Sequence, residues 1–205
     1  MKRIFILKAS TARTDNKFTI KDLPGTSGRL DVVCRCILSS LLLLEGHRLD
    51  TIIYSVLEGP PRPPITVEVN GEEIKDLPRD ELKIALILKE LLDPEGTRDI
   101  VSGFKLMNKG FQDIVEEKFC ESETYFLHRA GKNINEVLSG FLNLKRPQLT
   151  FILGDHIGLN QNDIKYLVEM GIKPISLGPK EYLGSHCISL IQEKLDRVIE
   201  KKKII

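Results

Sequence analysis

The sequence predicts an α/β fold: a mostly parallel sheet flanked by helices. Short apolar runs suited to strands (Arg3–Leu7, Thr51–Leu57, Leu149–Leu153) alternate with longer segments whose apolar residues recur every three or four positions. The run Thr51–Leu57 is continuous rather than alternating, as a strand covered on both faces requires. Glycine-marked turns follow two of the strands, at Gly154 and at Gly178-Pro179. That is where a parallel sheet keeps its ligand crevice.

Arg3–Leu7 is the first strand, and the polar, aperiodic stretch from Ala9 to Lys21 is a loop. Asp22-Leu23-Pro24-Gly25 is a turn. Thr26 or Ser27 caps a helix from about Gly28 to Leu44, with Leu30, Val33, Cys34, Ile37, Leu38, Leu41 and Leu42 on its stripe. Leu43 and Leu44 prolong that stripe, which predicts burial on two sides, and Gly46 ends the helix. After Thr51–Leu57 comes a stiff loop, Gly59–Pro64. Ile65–Val69 and Glu72–Ile74 read as a hairpin around Asn70-Gly71. Asp80 caps a helix that Asp93-Pro94-Glu95-Gly96 breaks. Thr97–Lys109 shows no clear period. Phe111–Phe119 is a helix and Thr124–Leu127 a strand; His128–Lys132 is a turn, and Asn133–Phe141 a helix capped at Asn133 or Asn135. Leu149–Leu153, a helix capped by Asn160 and stopped at Gly171, and a strand Lys173–Leu177 follow. The last helix starts near Gly184 or Ser185, with His186 and Cys187 in its first turn.

The chain has 205 residues, and its 41% hydrophobic content allows a proper core. Lys+Arg 30 against Asp+Glu 29 leaves a formal charge of +1. A protein that binds nucleic acid with that balance needs a local basic face. Cys34, Cys36, Cys120 and Cys187 are too few and too scattered for a disulfide framework. Cys34 and Cys36 would point about 200° apart on a helix, which suits core packing and not a metal pair. The amino-terminal apolar run is too short for a signal peptide, and no stretch approaches the ~20 apolar residues of a membrane span. These features predict a cytoplasmic protein without membrane or metal.

Neither glycine turn carries a P-loop or GxGxxG pattern, which leaves phosphate-cradling nucleotide folds unsupported. The N–H groups that open the last helix can hold a carboxylate and favour a Cys187 thiolate. Equally, both turns can simply connect elements, with Cys187 a small buried residue. Asp31 suits the positive end of its helix. Arg29 there is unfavourable by itself and needs a carboxylate or a bound phosphate.

FILGDHIG, ISLGP and SHCISLI, together with DLPGTSGRLDVVCRCIL from Asp22 to Leu38 and LHRAG at Leu127–Gly131, resemble the SPOUT methyltransferases. The resemblance is closest to the archaeal tRNA pseudouridine-54 N1-methyltransferases. It implies a single domain over residues 1–205 with a carboxy-terminal trefoil knot from roughly residue 123 to 200. It also implies a homodimer that methylates N1 of pseudouridine in the tRNA T-loop. S-adenosylmethionine would bind among Leu127, Leu153, Gly154, Ile175, Ser176, Leu177, Gly178, Leu183, His186 and Cys187. Arg29, Asp31 and Asp155 are the catalytic candidates, with His156 a further possible base. The helix from Gly28 and the last helix would supply the dimer interface. Arg29, Arg35, Lys105, Lys109 and Arg129 would contact phosphate. Where the family carries a pair of arginines before its Gly-Phe, this chain has Met107-Asn108. Alternatives with the same fold are a methyltransferase for ribosomal RNA or another uridine, and a non-catalytic RNA-binding dimer.

Overall fold

The structure, a computed structural model, describes residues 1–96, 101–138 and 148–204. The expected continuation of a helix to Phe141 and the start of the stretch from Thr97 lie outside the described residues. A seven-stranded sheet forms in the order β4-β3-β2-β1-β6-β5-β7. Its strands are β1 (Lys2–Ala9), β2 (Thr51–Leu57), β3 (Ile65–Asn70), β4 (Phe104–Met107), β5 (Glu123–Asn133), β6 (Gln148–Gly154) and β7 (Lys173–Ser176). β1, β2, β5, β6 and β7 are parallel, and β3 and β4 are antiparallel additions at one edge. The predicted α/β class, a mostly parallel sheet with helices on both faces, is what the chain adopts.

β1 is the central strand, with Phe5 opposite Ile53 on one side and Phe151 on the other. Alternate side chains feed two cores, which is why its apolar run is unbroken. Phe5, Leu7, Ile53 and Phe151 pack under α2 (Leu30–Leu41), α3 (Glu81–Leu91), α5 (Ile134–Leu138) and α7 (Gly184–Ile204). Ile4, Ile6, Ile152 and Phe126 pack under α4 (Phe111–Glu121) and α6 (Gln161–Glu169). After edge strand β7, the chain recrosses β5 and β6 so that α7 lies against α2 and the start of β1. There Arg3, 3% exposed, donates to Gln192 Oε1 and pairs with Asp50 and Asp196, while Arg48 clasps Asp196 from the other side.

Several expectations are corrected. The helix from Gly28 to Leu44 is shorter: a four-residue helix α1 (Leu23–Thr26), capped by Asp22, precedes it, and α2 ends at Leu41. Leu43 bonds back to Gly46 and Leu44 is 90% exposed, so the stripe is not prolonged. Ser27 does serve the helix start, since its Oγ accepts the Leu30 N–H at 3.0 Å. Glu72–Ile74 is no strand; β3 instead pairs with β2 and with β4, in the stretch that lacks a period. His128–Lys132 is not a turn but the continuation of β5, which re-pairs with β7 after a register break between Leu127 and Lys132. Asn160 caps α6 as expected: its side chain accepts from Asp163 N, and Asp163 accepts from Asn160 N, both at 2.9 Å.

Candidate functional site

A cleft of about 430 Å³ opens at the carboxyl ends of β6 and β7, beside the register break that follows Leu127 in β5. Leu127, Leu153, Ile175 and Leu177 form its apolar walls, Gly154, Ser176 and Gly178 present backbone, and Cys187 closes the far side. Arg129, expected at a phosphate, stands at the mouth; sequence reasoning missed its neighbours there, Lys180, Glu181 and Tyr182, which nothing periodic marks. Leu183 (60% exposed) and the exposed His186 do not line the cleft.

The cleft owes its shape to close backbone approach. A Cβ at Gly154 would lie 2.2 Å from the carbonyl carbon of Gly158, so only glycine lets that turn close. Gly178, at φ +136°, faces open space, with no atom within 4 Å of where a Cβ would stand. Ser176 Oγ accepts the Gly178 N–H at 3.2 Å and donates to its carbonyl at 3.1 Å, which ties the turn leaving β7.

Asp155, on the cleft wall and 8% exposed, spends both oxygens on backbone. Oδ2 accepts from Ser10 N at 2.7 Å and Oδ1 from Ile157 N at 2.9 Å. It thereby binds the loop after β1 to the loop after β6. His156, also on the wall, holds its Nδ1 3.6 Å from Asp155 Oδ2.

Arg29 precedes α2 at φ +73°, a left-handed conformation that costs a non-glycine residue free energy. Its compensating carboxylate is Asp31: Nε and Nη2 meet Oδ1 and Oδ2 at 2.9 and 3.1 Å, and Arg35 Nη2 adds 2.7 Å to Oδ2. Burial alone would push the Asp31 carboxyl up, but the two guanidiniums outweigh it and hold it below the usual carboxylate range. The bond to Asp31 and the nearby Asp155 raise Arg29. Arg29, Asp31 and Asp155 thus form one electrostatic group beside the cleft. Lys105 is paired with Glu73 at 2.8 Å and Lys109 with Glu117 at 2.5 Å, while Arg129 reaches Glu181 only at 3.9 Å.

Of the two readings of Cys187, the half-buried site suits the packed thiol. Burial pushes the thiol up to about 11, so the helix end does not offset desolvation. Cys120 is the exposed cysteine. Iodoacetamide at neutral pH is therefore expected to alkylate Cys120 first and Cys187 about tenfold more slowly, as a protonated, half-buried thiol should react; peptide mass spectrometry over time reads the order. Among the described residues, no group of three or more His, Cys, Asp or Glu side chains could hold a metal ion, and no helix is long and apolar enough to cross a membrane.

Residues 2–199 match a family model described as "Putative SAM-dependent RNA methyltransferase". A Methanococcus aeolicus protein named tRNA (pseudouridine(54)-N(1))-methyltransferase is 40% identical over 197 residues, covering 94% of this chain and 97% of its own. A Pyrococcus abyssi protein of the same name is 38% identical over 206 residues, covering 96% and 98%. The solved structure of Archaeoglobus fulgidus Nep1 bound to S-adenosylhomocysteine superposes with a TM-score of 0.65 at 19% identity, over 97% of this chain and 99% of that one.

Proposed function

Because this chain belongs to the SAM-dependent RNA methyltransferase family, we propose that it methylates N1 of pseudouridine at position 54, in the T-loop of tRNA. The observation that carries this reading is the glycine-built cleft at the carboxyl ends of β6 and β7, beside the register break in β5, with an arginine–carboxylate group at its side. Bound S-adenosylmethionine supplies an electrophilic methyl group on a sulfonium. The residues fit such a ligand: an apolar slot with a few polar backbone groups suits a nucleoside, and the open space at Gly178 admits close approach. In this reading Leu127, Leu153, Ile175 and Leu177 hold the adenine, and the backbone of Gly154 and Ser176–Gly178 orients it. Cys187 packs beside the sulfonium arm. Leu183 and His186 drop out of the set.

The acceptor nitrogen gives up a proton. Asp31 is held by two arginines and Asp155 by two backbone N–H groups, so both act as positioning residues. His156 is then the side chain on the cleft wall best suited to accept the proton. The target base reaches it outside the stack. Residues 1–205 form one domain in this reading, and the return of the chain from β7 to α7 is the knot. The protein is a cytoplasmic homodimer, but α2 cannot be its interface, because its apolar residues are spent on its own core. The exposed Ile157, Tyr182 and Leu183 near the cleft are the better interface.

Two tRNA transcripts, one with pseudouridine and one with uridine at position 54, test the reading with labelled S-adenosylmethionine. Label is expected only in the pseudouridine transcript. Equal labelling of both, or transfer only to ribosomal RNA, would sink the assignment.

A further inference from the structure

The polar loop after β1 holds a second arginine arranged as Arg29 is. Arg13 Nε and Nη2 meet Asp15 Oδ1 and Oδ2, both at 2.7 Å. Like Arg29 with Asp31, this is an Arg-x-Asp pair, and it engages the same two nitrogens. Each guanidinium keeps its Nη1 donors and the second hydrogen of Nη2 for another acceptor; among the described residues nothing else bonds them.

The two pairs sit on interlocked loops. Arg13 N donates to Ser27 O at 3.0 Å, and Thr11 Oγ1 donates to Gly28 O at 2.9 Å. A Cβ at Gly28 would stand 1.9 Å from Thr11 O, and one at Gly59 2.2 Å from it. The loops after β1, before α2 and after β2 are therefore pressed together around Thr11. The same cluster holds Arg62, whose backbone N–H bonds Thr14 Oγ1 at 2.7 Å. Ser10, the next residue back, is bonded to Asp155 on the cleft wall, so this platform is registered to the cleft.

Charge here is layered. The Asp15 and Asp31 side chains are 7% and 4% exposed, whereas Arg13 and Arg29 are 26% and 38% exposed. Solvent meets guanidinium and not carboxylate. A chain of net charge +1 can thus present a local basic face. A guanidinium fixed from behind by a carboxylate presents its remaining donors in the planar fork that phosphate oxygens match.

We propose that Arg13 and Arg29 form a paired phosphate site that grips the RNA backbone beside the cleft. The inference rests on the RNA methyltransferase reading above, but its readout is RNA affinity and not transfer. The test titrates the full chain with the pseudouridine-containing tRNA across a potassium chloride series, with the cofactor dissociation constant measured alongside. Arg13→Gln is expected to weaken tRNA binding about tenfold and to flatten the log–log salt dependence by about one unit, with cofactor affinity unchanged. Arg13→Lys keeps the charge and loses the fork, so the slope stays and affinity falls about threefold. An Arg13→Gln protein with affinity within twofold of wild type and an unchanged slope overturns the proposal. If Arg13→Gln loses cofactor binding through misfolding, Arg13→Lys decides: a threefold loss supports the pair, and unchanged affinity overturns it. Should the wild type bind this tRNA yet methylate nothing, the acceptor assignment fails, while the same affinities still judge the arginines.

Discussion

Replacing Gly154 with tryptophan is expected to weaken S-adenosylmethionine binding by at least about a hundredfold and to abolish methyl transfer. The argument is steric. The first carbon of any side chain at this position would lie 2.2 Å from the Gly158 carbonyl carbon and 2.6 Å from its Cα and O. Those are backbone atoms, which cannot rotate aside. The turn would have to open, and with it the bonds from Gly158 N to Asp155 O and from Ile157 N to Asp155 Oδ1. An indole would then occupy the cleft itself. Calorimetry with the cofactor checks the result, and circular dichroism confirms that the sheet persists. Binding within threefold of wild type would show that the cofactor lies elsewhere.

Asp31→Ala carries the second large effect, because it strips two guanidiniums of their shared carboxylate. Asp31 is buried, but its partners are about one-third exposed. The loss is therefore discounted from that of a fully buried pair to about 2 kcal/mol. The left-handed backbone at Arg29 loses its support at the same time. Methyl transfer is expected to fall about a hundredfold, the scale of a misplaced reactant, mainly through the Michaelis constant for tRNA. The same group makes stability depend on acid. Asp15, Asp31 and Asp196 are all held below the usual carboxylate range by their arginine partners. Their contribution is whole above the unfolded value of about 3.9. It is lost as pH falls through their lower folded values. Thermal melts from pH 7 to pH 3 should show the wild-type midpoint dropping below about pH 4, with a shallower drop in Asp31→Ala. Equal slopes in the two proteins would refute the linkage.

Much of the fold is legible in the sequence wherever burial alone decides. β1, β2 and β6 are continuous apolar runs because both faces are covered, and α6 announces itself by its Asn160 cap. The end of α2 is not legible: Leu42–Leu44 continue the apolar run, and what stops the helix is a tight local hairpin, with Leu42 bridged to His47, Arg48 N bonded to Leu41 O and Leu43 N to Gly46 O. The second half of β5 reads as a turn because its residues are polar and contain glycine. Yet Gly131 is there because a Cβ would lie 2.5 Å from the backbone of Ile175 on β7. The Asn-Gly signal after β3 promises a partner in the residues that follow it, while the actual partners are β2, which precedes it, and β4, which comes far later in the chain. In the site, the walls are legible because glycine follows strand. Arg13 is not, because its meaning lies in a loop packed against a distant one.

The position of β1 has a consequence for how the protein comes into being. Its Arg3 pairs with Thr51 on one side and with Leu149 on the other. One flank of β1 therefore stays unpaired until β6 has been synthesised, which makes a slow, non-local step. The cleft is later still, since β7 and the turn into α7 follow β6 in the chain. The cofactor can stabilise the finished molecule by mass action, but it has nothing to bind on a nascent chain. Until β6 arrives, the open flank of β1 has to be shielded by something other than its own ligand.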